Sequence, residues 1–80
     1  MQLLCHLETP DFAGWKADFD DEATDRMEAG LTLLQMWRGV DSRAGVWMLF
    51  EVNHRPAAEA WLVKEQGFGG PMNAHFLEFA

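Results

Sequence analysis

Apolar positions change their period along the chain. From Met1 to Glu8 they alternate: Leu3, Cys5 and Leu7 fall on one face of an extended segment, and Leu4, His6 and Glu8 on the other. Thr9-Pro10 ends that strand and predicts a helix start, with Thr9 as N-cap and Pro10 in the first turn, where a missing N–H costs nothing. Phe12, Trp15, Phe19, Ala23 and Met27 then recur at helical spacing, one stripe over a helix Pro10–Ala29. The acidic run Asp18–Glu22 is a poor helix interior and predicts a kink or break near Asp20, and Gly30 is free to take a left-handed exit. Alternation returns at Leu31–Arg38 and Val46–Asn53, joined by a polar, glycine-flanked hairpin Gly39–Gly45. Pro56–Gln66 reads as a second helix with an Ala-rich face, Gly67–Pro71 as its stop, and Ala74–Phe79 as a last strand.

The order β-α-β-β-α-β predicts an α+β fold of the ferredoxin-like type, one domain over residues 1–80. Its sheet is antiparallel in order 4-1-3-2 with two helices on one face. In the third strand Val46, Met48, Phe50 and Val52 make a wholly apolar face, suited to the helices. Trp47, Leu49, Glu51 and Asn53 make a mixed face that no helix remains to cover. A chain of 80 residues buries only about two-thirds of its unfolded surface, and small scaffolds commonly need a staple or an oligomer. Cys5 is the only cysteine, so an intrachain disulfide is excluded. A homodimer is the expected solution.

Charge narrows the partners. Thirteen acidic against six basic residues leave a net charge of −7. That argues against nucleic acid and against an anionic membrane surface, and for a neutral or basic partner. Met1–His6 carries no basic segment or long apolar run of the signal-peptide kind, and no apolar stretch approaches the ~18 residues of a membrane helix. A cytoplasmic protein is expected.

The candidate chemistry lies mostly on the mixed face. His6 and Glu51 fall on the two central strands, where a carboxylate beside an imidazole would raise its pKa and fix its tautomer for acid–base work. The same pair also suits an ion pair in a dimer interface. Trp37 and Trp47 flank the hairpin and suit either a ligand-pocket wall or a dimer core, and His75 on the last strand neighbours the first. No H-x-x-H, H-E-x-x-H or Cys/His spacing is present, so no metal site and no cofactor are expected. The acidic residues of Asp18–Asp25 lack calcium-loop spacing and read as a solvated helix face. Gly67–Gly70 lacks the Lys-Ser/Thr of a phosphate loop. Cys5, in a core strand, reads as a small hydrophobe.

Phe12-x-x-Trp15-Lys16-x-x-Phe19-Asp20, Gly30-Leu31, the strand Val46–Val52 leading into an Ala-rich helix, and Phe76-Leu77-Glu78-Phe79 resemble the small dimeric α/β-barrel proteins. That group includes antibiotic-biosynthesis-monooxygenase-like and stress-responsive barrel proteins. The resemblance covers nearly the whole chain and rests on structural motifs. It implies two subunits packed sheet to sheet and a small organic molecule bound in the cleft between sheet and helices or inside the barrel. The associated activities include cofactor-independent oxygenation, isomerisation, cyclisation and haem chemistry, with no shared catalytic set to transfer. The haem-degrading branch combines Asn, Trp and His, a set that does not align onto Asn53, Trp47 or His75. Two principal readings follow. In the first, the dimer binds or transforms a small apolar or aromatic molecule, with His6 as acid–base, Glu51 as its orienter, and Trp37, Trp47 and His75 as pocket residues. In the second, the same residues knit together a non-catalytic structural or regulatory homodimer. A haem- or metal-binding barrel is the third, weaker reading.

Overall fold

A computed structural model of the chain describes residues 1–69 and 72–80, and for residues 66–69 the backbone only. Four strands, β1 (Gln2–Glu8), β2 (Leu31–Arg38), β3 (Gly45–Val52) and β4 (Asn73–Leu77), form one antiparallel sheet in order β2-β3-β1-β4. That is the order expected from the sequence, and it is consistent with a ferredoxin-like layout. Three helices accompany the sheet, α1 (Phe12–Asp21), α2 (Ala23–Glu28) and α3 (Arg55–Gly69).

The helical segment after β1 starts later than Thr9-Pro10 implies. Asp11 is the N-cap, its carboxylate accepting from Gly14 N–H at 3.1 Å. Thr9 lies outside the helix: its hydroxyl accepts from Asp11 N–H, and its own N–H donates to Ala44 C=O at 2.9 Å. The break expected near Asp20 falls at Glu22 (φ −93°, ψ 14°), between α1 and α2. It ends the apolar stripe early. Phe12, Trp15 and Phe19 stack in series, with centroids 5.9 and 5.1 Å apart, whereas Ala23 and Met27 are exposed. Past the break Arg26 is the buried residue, its guanidinium donating to Phe19 C=O at 2.6 Å and lying over the Phe19 ring. Gly30 leaves α2 with φ +73°, the left-handed exit its position calls for.

β3 keeps the expected face. Val46, Met48, Phe50 and Val52 are buried, together with Leu3 and Cys5 of β1. These join Phe19, Ala29, Ala58, Trp61 and Leu62 in one core, so α1, the C-cap of α2 and α3 all contribute to the covered side of the sheet. Phe50 meets Trp61 edge-on at 5.7 Å. β2 departs from simple alternation: its register to β3 shifts between Leu33 and Gln35. Leu31 and Leu33 pair with Val52 and Phe50 on the core face, and after the irregularity Met36 and Arg38 pair with Met48 and Val46 on that same face. Gln35 and Trp37 are thereby turned to the open side. Unbroken alternation would put Leu31, Leu33, Gln35 and Trp37 together, and one extra residue overturns that grouping.

α3 runs through Gly67 to Gly69, beyond the stop expected there, while Gly70 and Pro71 lie outside the described residues. The last strand ends at Leu77, and Phe79 beyond it is exposed. No helix among the described residues is long and apolar enough to cross a membrane.

Candidate functional site

The register sets the open face in rows. Asn73, His6, Trp47 and Trp37 lie across all four strands in one row; His75, Leu4, Leu49 and Gln35 form the next, and Leu77, Gln2, Glu51 and Thr32 the third. The His6 and Trp47 rings stack with centroids 4.3 Å apart and planes within 14°. Trp47 also lies over Gly45, where an added Cβ would come 2.8 Å from the indole, so only glycine leaves room for the ring. Trp37, directly opposite Trp47, is about half exposed. Three of the residues singled out by sequence therefore meet in one aromatic row.

His75 lies diagonally from His6 at an exposed position, a relation that sets Cα atoms about 7–8 Å apart. Glu51 shares the face but not the row. It sits four positions along β3 from Trp47, roughly 13 Å at the usual rise. Its carboxylate accepts from Gln2 Nε2 at 2.8 Å and lies 3.5 Å from the Met1 amino nitrogen. The sheet register thus separates the imidazole from the carboxylate that the sequence reading paired with it. Among the described residues, no group of three His, Cys, Asp or Glu is arranged to hold a metal ion.

On the opposite side, between the helices and the sheet, lies a cleft of about 240 Å³. Trp15, Phe19 and Trp61 wall it with Leu7, Met48 and Met72, and Asp18, Glu22 and Glu65 add carboxyl groups. The helix break positions Glu22, and α3 brings Glu65 to it. Burial pushes the Glu65 carboxyl up from its ordinary value; the negative charge of Glu22 and a hydrogen bond between the two side chains push the same way, against weaker pulls from Lys64 and Arg26. Arg26 is itself pushed down by burial. The indole N–H of Trp61 is buried and has no acceptor among the described residues, an arrangement that costs about 1–3 kcal/mol.

No protein-family model, curated protein or solved structure matches this chain. The resemblance to dimeric barrel proteins therefore rests on the quoted residues alone.

Sequence reasoning missed the cleft's acidic side. Glu22 and Glu65 are 43 positions apart, and only the chain reversal through the sheet brings them together. The legible signal was the break itself, because a carboxylate at a helix break can turn away from the solvated face. Trp15 and Trp61 were readable as helix-face residues, though not as the two walls of one cleft.

Proposed function

We propose that the chain is a small-molecule-binding protein whose ligand site is the cleft between helices and sheet. The observation that carries this reading is the cleft's lining: two tryptophans and a phenylalanine beside a few polar groups, the usual composition of a ligand pocket. Its volume lies just below the usual range of about 300–1,000 Å³ and suits a ligand of one ring and a short chain. Tryptophan fluorescence, followed while 2-phenylethanol is added, tests the reading. Saturable change, reduced in Trp15→Ala, is expected; a linear response identical in the variant would refute it.

The open face supports a companion reading about assembly, in which two copies join sheet to sheet. None of the chain's lysines or arginines stands at an open-face position, while Leu4, Trp37, Trp47, Leu49 and Leu77 do. For a chain of charge −7, self-association is least opposed where charge is scarcest. In this reading His6, His75 and Glu51 are interface groups, and each cleft stays outside the joined sheets. Sedimentation velocity is expected to give a dimer at micromolar concentration and a monomer for Leu49→Glu. A wild-type monomer would end the reading, and co-sedimentation with a different protein would assign the face to that partner.

A further inference from the structure

Most of this chain's cations already have partners outside the cleft, although Lys64 also acts electrostatically on Glu65. Lys16 pairs with Asp20 at 2.6 Å, Arg55 with Glu59 at 2.7 Å and Lys64 with Asp25 at 3.2 Å, while Arg38 lies over the Phe12 ring. Arg26 is close enough to act electrostatically on Glu22 and Glu65, but its Nη1 donates to the Phe19 carbonyl. Asp18, Glu22 and Glu65 thus line an aromatic cleft whose nearby cations, Arg26 and Lys64, are both engaged elsewhere.

We propose that the cleft binds a small primary organic ammonium ion, its nitrogen at Glu22 and Glu65 and its apolar part against Trp15, Phe19 and Trp61. The proposal rests on the ligand-binding reading above and adds the chemical class. Glu22 and Glu65 both line the cleft, and burial together with the negative charge of Glu22 favours the protonated form of Glu65. An ammonium group replaces that one proton with several N–H donors and a full positive charge, and so satisfies both carboxylates. The aromatic walls add attraction for a cation that water alone does not provide. They also favour an organic cation over a hydrated metal ion. An anion would face like charge from all three carboxyl groups, and a neutral ligand would leave the carboxyl pair as it is.

A proton balance follows. The ammonium enters with its own protons, a proton held by Glu65 leaves to solvent, and no bond between heavy atoms changes. The groups facing that proton are Glu22, Glu65, Lys64 and Arg26.

Isothermal titration with 2-phenylethylammonium, 2-phenylethanol and 3-phenylpropanoate tests the class. The ammonium ion is expected to bind at least tenfold tighter than the alcohol, with the carboxylate weakest. Its apparent enthalpy should vary with the ionisation enthalpy of the buffer at pH values where Glu65 holds its proton. Glu65→Gln should bring the ammonium's affinity down towards that of the alcohol, and Asp18→Asn, at an exposed position, should lower it less; circular dichroism checks that both variants fold. Equal affinity for ammonium and alcohol would overturn the class and leave the ligand-binding reading standing. Failure of all three ligands to bind folded protein would overturn both.

Discussion

Cys5 lies on β1 with no exposed surface, and burial pushes its thiol up to about 12. The thiolate is the reactive form, so the native protein should resist a thiol reagent such as Ellman's at pH 8 and react fully in denaturant. Fast reaction of the native protein would mean that the central strand opens readily. Glu65 behaves in the opposite functional sense, as a half-buried group at the cleft. Its carboxyl titrates above its ordinary value in the folded state, so the folded chain holds the proton more tightly than the unfolded one. The stability this gives is complete below the ordinary carboxylate range and is lost as pH rises through the raised value. Glu65→Gln should therefore match the wild type in stability at low pH and exceed it at pH 7, as urea melts at several pH values would reveal. The buried place of Cys5 was legible from alternation, because its neighbours Leu3 and Leu7 share its parity. The surroundings of Glu65 were not, because desolvation is set by elements far away in the chain.

Periodicity located every strand and both helical regions, since burial on one face imposes it. Apolar periodicity by itself passes over two one-residue departures. At Glu22 a helix divides, and Arg26 replaces the expected Met27 as the buried group. At Leu33–Gln35 a strand takes in an extra residue, and the second half of β2 changes faces. The acidic run Asp18–Glu22 signalled the first to within two residues, whereas the second is a local backbone choice decided by packing partners and leaves no composition signal. Gly30 is the opposite case. Its φ of +73° was foreseeable from its place after a helical pattern, and an added Cβ would lie 3.2 Å from His54 N. Gly30→Ala should lower unfolding free energy by about 1–2 kcal/mol, from left-handed strain with crowding beside it. Chemical denaturation measures this directly, and an unchanged midpoint would contradict the assigned turn.

For the whole molecule, the sheet divides two kinds of surface. The covered side holds the core and an acidic cleft, and the open side holds an aromatic row free of lysine and arginine. The candidate residues His6, Trp37 and Trp47 were legible as neighbours because strands one and three are central and the hairpin joins two tryptophans. The separation of His6 from Glu51 was not legible, since it depends on register, which alternation leaves free. If two copies join by their open sides, folding is coupled to association, and the melting temperature should rise with protein concentration. An unchanged melting temperature over a hundredfold dilution would speak for a self-sufficient monomer. Such pairing would cover faces and leave edges. β2 ends the sheet, no strand among the described residues pairs with its outer side, and Leu33 and Leu34 there are partly exposed. A straight apolar strand in that place would template addition of further chains. The irregular register at Leu33–Gln35 interrupts such a template, as bulges on border strands do.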